Sequence, residues 1–144
     1  CEFFRVLKPG GCLIINSCSP EQLEKGFWFY HLIPDAIRAV QEKTIGIDTL
    51  ANQLKIIGFS ETRQEVPLDL MLQDEAYFRV DGILDPDWRR GDSIWSLVEE
   101  KTLVDVLETV SDLKQNGKLE PFMQQHDQAR KTCGQVTFTI TRKH

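Results

Sequence analysis

The apolar positions near the start of the chain follow a helical period and then a strand-like run. Residues 3, 4, 6 and 7 are apolar, as on the inner face of an amphipathic helix, and Pro9-Gly10-Gly11 is a sequence that ends a helix. Residues 12–15 are continuously apolar, which is typical of a strand buried on both faces of a parallel sheet. The pattern therefore predicts a helix, a tight turn and a buried strand, which together form an α/β unit.

The middle of the chain repeats this succession of helix and strand. A further helix is predicted after Pro34, and another over residues 49–57, where apolar side chains recur at a spacing of three to four. Asp48 can cap the start of the latter helix, and Gly58 suits the left-handed position that follows a helix. Residues 59–66 alternate weakly and predict a strand with one solvated face.

The second half of the chain is predicted to be mainly helical before a final strand. Residues 73–93 are rich in Asp, Arg, Gly and Pro, which favours a long loop or short helices. Residues 102–114 carry an apolar stripe and predict the strongest helix of the chain, and residues 119–130 predict another. Residues 136–141 alternate between apolar side chains and threonines, which predicts a half-buried strand.

The composition is that of an ordinary globular domain. Of 144 residues, 41% are hydrophobic and 27% are charged, which argues against a disordered or coiled-coil chain. The formal net charge of -5 gives no electrostatic reason to expect nucleic acid or an anionic membrane as a partner. No apolar run is long enough to span a membrane, and the first residues do not resemble a signal peptide. We therefore expect a cytoplasmic protein.

The four cysteines, Cys1, Cys12, Cys18 and Cys133, are expected to be reduced thiols. They form no C-x-x-C pair and have no histidine at metal-ligand spacing, so no metal site is predicted. Cys12 lies in the apolar run and is expected to be a buried filler of the core. Cys18 is not expected to act as a nucleophile, because the spacing places no general base beside it.

A resemblance to a known family rests on the first predicted turn and strand. Residues 5–15 join an apolar helix end to Leu7-Lys8-Pro9-Gly10-Gly11 and then to a strand. This segment resembles the stretch that leads into the fifth strand of class I S-adenosylmethionine-dependent methyltransferases. Residues 50–59 are similar to that family's helix before strand six, and residues 90–97 to its region between strands six and seven.

The resemblance implies an α/β fold. The chain would form the C-terminal portion of a Rossmann-like methyltransferase sheet, with strands five to seven and their helices. The domain would therefore be incomplete. Residues 1–144 would be that portion, with residues 73–134 as an insertion or helical cap before the last strand. The family holds S-adenosylmethionine mainly on the first half of its sheet. Neither its Gly-rich turn after a strand nor its acidic ribose-binding residue is found in this sequence.

We therefore expect a fragment that does not bind the cofactor by itself. The chain opens at Cys1 without an initiator methionine and already in helical sequence, which is typical of a cut. In the intact parent protein the cofactor would be S-adenosylmethionine, and no complete cofactor-binding set is predicted within these residues. No catalytic residue is predicted either.

Asn16 and Ser17 are the first candidates for substrate binding. They close the first predicted strand, at the edge of the sheet where open α/β folds bind their ligands. The resemblance implies that this loop borders the cofactor and substrate cleft. Both side chains can hydrogen-bond a substrate, but both residue types also form local turns at strand ends, and this alternative stays open.

Trp28, Tyr30 and His31 are the other candidates. They lie in an aromatic stretch just beyond the first strand and could form the wall of an apolar pocket. Tyr30 or His31 could then serve as a base or as an orienting group for an acceptor atom. The alternative is that these side chains pack onto the core, as aromatic residues and isolated histidines commonly do.

Two classes of function are compatible with this sequence. In the first, the parent protein transfers a methyl group from S-adenosylmethionine to a small-molecule acceptor, and this fragment is inactive alone. In the second, the chain is a non-catalytic half-domain that self-associates as a binding or assembly module. The second hypothesis predicts a homodimer through the exposed sheet edge, because the first strand would lack one of its neighbours.

Overall fold

A computed structural model describes all residues, 1–144, as a mixed α/β fold with one small sheet. The three strands are β1 (Cys12–Ser17), β2 (Phe59–Glu65) and β3 (Thr137–Lys143), in the spatial order β1-β3-β2. β3 pairs antiparallel with both of its neighbours, so β1 and β2 run in the same direction on either side of it. The last strand of the chain therefore lies in the centre of the sheet.

The remaining structure is helical. The α-helices are α1 (Glu2–Val6), α2 (Pro20–Lys25), α3 (Pro34–Gln41), α4 (Ile47–Ile57), α5 (Pro86–Arg90), α6 (Glu100–Gln115), α7 (Leu119–Asp127) and α8 (Arg130–Cys133). The 3-10 helices are Trp28–Leu32, Asp74–Phe78, Val80–Leu84 and Ser93–Leu97. None of these helices has the length and hydropathy needed to cross a membrane.

Most of the predicted helices are confirmed, with one correction at a helix start. α6 extends the predicted helix by two residues at its start and one at its end, and residues 73–93 form short helices. Gly58 adopts the predicted left-handed conformation after α4, with φ of 109°. Asp48, however, does not cap α4, because that helix begins at Ile47, two residues earlier than predicted, and Gly46 is its N-cap. Asp48 lies instead in the first turn.

The prediction that β1 is buried on both faces is wrong. Its residues alternate between exposed and half-buried, and the side chain of Ile14 lies on the exposed face, with the residue 59% accessible. The physical reason is that nothing packs on the face of β1 that carries Cys12, Ile14 and Asn16, all three of which are exposed. Cys12 lies on the same exposed face, so it is not the buried filler that the apolar run predicted.

β3 is half-buried as predicted, but its threonines occupy the buried face. Thr137, Thr139 and Thr141 are buried, whereas Phe138 and Ile140 remain partly accessible on the other face. The buried hydroxyls are largely satisfied within the protein. Thr141 donates to the Ser60 carbonyl at 2.9 Å, and Thr137 donates to the side-chain oxygen of Gln22 at 3.2 Å.

The main hydrophobic core lies beside the sheet, where the aromatic segment after α2 packs against the helices that precede β3. In this core the backbone at Gly82 lies directly against the Trp88 indole, because a Cβ added to Gly82 would lie 2.6 Å from the indole nitrogen. The buried members of this core are Leu23, Phe27, Trp28, Phe29, Tyr30, Ile33, Ala36, Ile37, Tyr77, Ile83, Trp95, Val106, Val110, Leu119 and Met123.

Candidate functional site

Tyr30 and Asp92 meet just beyond the carboxyl end of β1. Tyr30 lies in the first 3-10 helix, and its hydroxyl donates to an Asp92 carboxylate oxygen at 2.7 Å. The other oxygen of Asp92 accepts from the backbone N–H of Ile94 at 3.0 Å, which caps the 3-10 helix Ser93–Leu97. The amide nitrogen of Gln73 approaches the first oxygen at 3.5 Å. The carboxylate is thus held by uncharged donors, and no lysine, arginine or histidine forms an ion pair with it.

The thiol of Cys18 belongs to the same cluster. Burial and the charge of Asp92 both raise the pKa of Cys18. Burial raises the pKa of Tyr30 above its usual range, and Asp92 and Cys18 raise it further. Both groups therefore keep their protons at neutral pH, and the Tyr30 hydroxyl donates its proton to Asp92. A thiol that stays protonated is a poor nucleophile.

Several polar atoms around this cluster are buried without a hydrogen-bond partner. They include the hydroxyl of Ser17, the amide oxygen of Gln73 and the indole nitrogen of Trp95. Asp92 and Trp95 also line a shallow cleft of about 410 Å³ next to α5. The lining residues are Pro86, Arg89, Arg90, Asp92, Ser93, Trp95 and Ser96. The cleft gives solvent a route to the Asp92 side of the cluster.

Two of the other predicted site residues, Trp28 and Asn16, form no hydrogen bond within this cluster. Trp28 is fully buried in the core, and its indole N–H donates to the carbonyl of Tyr77 at 2.9 Å. This placement matches the packing alternative for Trp28. Asn16 is exposed and lies opposite Phe138 on the open face of the sheet. The roles of these side chains toward an acceptor stay predictions.

His31 has a partner that the sequence did not indicate. Its ring centroid lies 4.2 Å from that of His126 on α7, which in turn packs against Phe122. Partial burial lowers the pKa of His31, the neighbouring His126 lowers it further, and Glu24 opposes the shift. The histidine pair joins the first 3-10 helix to α7 at the protein surface.

A second polar network, which is buried, joins Tyr77, Asp127 and Arg130. The hydroxyl of Tyr77 donates to Asp127 at 2.6 Å, and Arg130 donates to both carboxylate oxygens of Asp127, at 2.7 and 2.9 Å. Burial by itself would raise the pKa of Asp127, but the hydrogen bonds from Arg130 and Tyr77 leave it lowered. The spacing of Asp127 and Arg130 suits an i,i+3 ion pair, so half of this network could have been found from the sequence.

The turns after β1 and β2 do not fit S-adenosylmethionine. Residues 18–19 and 66–73 contain no glycine, so neither turn offers the close backbone approach of a dinucleotide-type loop. The start of α2 is already occupied by a capping box, in which Ser19 and Gln22 satisfy one another's backbone N–H groups. Pro20, the first residue of α2, has no N–H to donate. Neither of these two turns therefore fits the cofactor.

No group of three or more His, Cys, Asp or Glu side chains is placed to hold a metal ion. No protein-family model, curated protein or solved structure matches the chain.

Proposed function

We propose that these residues form the acceptor-side, C-terminal part of a class I S-adenosylmethionine-dependent methyltransferase that acts on a small molecule. The observation that carries the proposal is the cluster of Tyr30, Asp92 and Cys18 just beyond the carboxyl end of β1. Ligands of open α/β sheets bind beyond the carboxyl ends of the strands. The cluster lies in that position and holds hydrogen-bonding groups that serve no ion pair.

The topology of the sheet supports the same proposal. β1 and β2 run in the same direction, and the chain between them forms α2, α3 and α4. Strands of one sheet that run in the same direction are usually joined by a helical crossover of this kind. On this proposal β1, β2 and β3 correspond to strands five, six and seven of the Rossmann-like sheet. The open edge of β1 is then the place where the preceding strand of the complete sheet pairs.

The proposed role of the cluster is to orient the acceptor. S-adenosylmethionine supplies an already activated methyl group, so the protein contributes chiefly by positioning. The Cys18 thiol offers a donor, whereas the Tyr30 hydroxyl, whose proton goes to Asp92, and the Asp92 carboxylate offer acceptor oxygens for an O–H or N–H group of the small molecule. On this proposal, the cofactor is held by a part of the methyltransferase that lies outside these 144 residues. We also propose a cytoplasmic location.

The test is binding of S-adenosylmethionine to the complete natural chain in which this sequence occurs. We expect a micromolar dissociation constant by calorimetric titration. The variants Tyr30→Phe and Asp92→Asn should keep that affinity, because the proposal places them on the acceptor side. A complete chain that does not bind S-adenosylmethionine would overturn the proposal.

The open edge of β1 favours a second candidate function, self-association as a binding or assembly module. β1 has no neighbour on one side, and the apolar side chain of Ile14 is mostly exposed. Unpaired strand edges recruit other strands, and two copies of one chain can satisfy each other. The expected result is a homodimer at micromolar concentration in light scattering, and a stable monomer at that concentration would contradict it.

A further inference from the structure

Arg89, on α5, differs from the other arginines of these residues in having no ion-pair partner. The other seven arginines each form an ion pair with an Asp or Glu carboxylate. Arg89 is half-buried, and its guanidinium donates to the carbonyl of Ile83. That bond holds one end of the guanidinium in place, but a carbonyl carries no charge. The positive charge of Arg89 is therefore not balanced within these residues.

Arg89 lines the cleft of about 410 Å³ that also contains Asp92 and Trp95. Trp95 is 6% exposed, and its indole N–H is buried without an acceptor. The indole N–H groups of Trp28 and Trp88, by contrast, both donate to backbone carbonyls. The cleft thus joins an unpaired cation to a buried donor that lacks a partner, and both groups call for an anion.

Asp92 supplies an acceptor at the same cleft. One of its carboxylate oxygens accepts only from the backbone N–H of Ile94, so this oxygen can accept a second hydrogen bond. The remaining charged side chain that lines the cleft, Arg90, is exposed and already paired with Asp87. A ligand that fits these groups carries one negative charge and one O–H or N–H donor.

We propose that this cleft binds the methyl acceptor, and that the acceptor is a small molecule with one carboxylate and a hydroxyl or amino group. This inference rests on the first proposed function and names its substrate class. Arg89 binds the carboxylate, because a planar guanidinium matches the two oxygens of that group. The same carboxylate offers the indole N–H of Trp95 the acceptor that it lacks, and Asp92 accepts from the hydroxyl or amino group.

The charges of the cleft favour a carboxylate over a phosphate group. A phosphate group carries about -1.5 to -2 charges at neutral pH. Arg89 offers one positive charge, so the excess negative charge of a phosphate would be repelled by Asp92. A carboxylate neutralises Arg89 and brings no further negative charge next to Asp92.

The experiment follows the indole N–H signal of Trp95 by ¹H–¹⁵N NMR in the complete natural chain in which this sequence occurs. Trp95→Phe identifies that signal by removing it. The probe is 3-hydroxybenzoate, and its uncharged amide, 3-hydroxybenzamide, is the matched control ligand. We expect 3-hydroxybenzoate to shift the Trp95 signal with a millimolar dissociation constant. The amide should bind about tenfold more weakly or less, because it cannot form a charged pair with Arg89.

Arg89→Gln tests the contribution of the guanidinium. The variant loses the charge but keeps an amide that can donate to the carbonyl of Ile83. It should weaken the binding of 3-hydroxybenzoate about tenfold and leave that of 3-hydroxybenzamide unchanged. The matched control is Arg38→Gln on α3, whose exposed guanidinium is paired with Asp35 away from the cleft, and which should leave both affinities unchanged.

Calorimetric titration of the same samples with S-adenosylmethionine separates this inference from the proposed function. A chain that binds S-adenosylmethionine, but whose Trp95 signal responds equally to the two ligands or to neither, would overturn the carboxylate assignment alone. This comparison needs no variant of Arg89, so it decides the matter even if Arg89→Gln does not fold. A larger shift with inorganic phosphate than with 3-hydroxybenzoate would also overturn it. Binding of 3-hydroxybenzoate through Arg89 without binding of S-adenosylmethionine would support a carboxylate site and overturn the methyltransferase.

Discussion

The hydroxyl of Tyr30 donates a 2.7 Å hydrogen bond to the carboxylate of Asp92, 62 residues further along the chain. This bond connects the aromatic segment after β1 with the short helices that follow β2. Tyr30 is only 5% exposed, so water does not readily replace its partner. The same contact both fixes the packing of the two segments and sets the polarity at the carboxyl end of β1.

Removal of this hydroxyl should affect both stability and the proposed reaction. Tyr30→Phe leaves the Asp92 carboxylate without its shortest partner, and hydrogen bonds to charged groups contribute about 1.5–3 kcal/mol. We expect a loss of that size in urea unfolding, with reduced methyl transfer and unchanged S-adenosylmethionine affinity in the complete chain. Thr109→Ser, an exposed change on α6, is the control and should alter neither quantity. Unchanged methyl transfer in Tyr30→Phe would count against an acceptor-side role.

The buried ion pair of Asp127 and Arg130 should be costly to break. Asp127→Ala leaves the Arg130 guanidinium buried and unpaired, and such changes typically cost about 3–5 kcal/mol. The matched control is Asp35→Ala, which removes an exposed partner of Arg38 and should cost less than about 1 kcal/mol. Urea unfolding of the two variants measures the difference. Equal losses in the free energy of unfolding would show that burial does not increase the contribution of the Asp127–Arg130 pair to stability.

Gly82 should not tolerate a side chain. An alanine Cβ there would lie 2.6 Å from the Trp88 indole, which is itself packed among aromatic rings and donates to the Ala76 carbonyl. Overpacking of this kind typically costs about 1–3 kcal/mol. At Gly46 an added Cβ would have only the Thr49 hydroxyl within 4 Å, at 3.8 Å, so Gly46→Ala is a suitable control with a smaller expected effect. A thermal melt compares the two variants, and a stable Gly82→Ala protein would be the contrary result.

The histidine pair should make stability depend on pH. The pKa of His31 is lowered from 6.5 in the folded protein, so below that pH the unfolded chain binds more protons than the folded one. The free energy of unfolding should be fully retained above about pH 6.5 and should fall as the pH drops through the lower pKa of folded His31. His31→Gln should flatten the profile measured by urea unfolding between pH 5 and 7.5. Identical profiles for the two proteins would exclude His31 as the source.

The elements that could be predicted from the sequence are those with a strong local pattern. The stripe on α6 and the left-handed Gly58 depend on neighbouring residues alone, and both are found. The burial of β1 could not be derived in this way. A continuous apolar run indicates a strand that can be covered on both faces, whereas the actual cover depends on which elements pack beside it.

The contacts of the candidate site depend on segments that are distant in sequence. Tyr30 meets Asp92, and His31 meets His126, through the folding of the helices between β2 and β3, which leaves no periodic signal. For the same reason the buried face of β3 could not be assigned. Threonine is acceptable on either face of a strand, and the hydroxyls of Thr137 and Thr141 find partners only in the assembled structure.

We propose that these 144 residues provide the acceptor side of a methyltransferase without its cofactor site. Calorimetric titration of the 144-residue chain with S-adenosylmethionine, at micromolar protein concentration, tests this proposal. We expect no heat of binding, because the turns after β1 and β2 lack the groups that would hold the cofactor. A micromolar dissociation constant for this chain alone would contradict it.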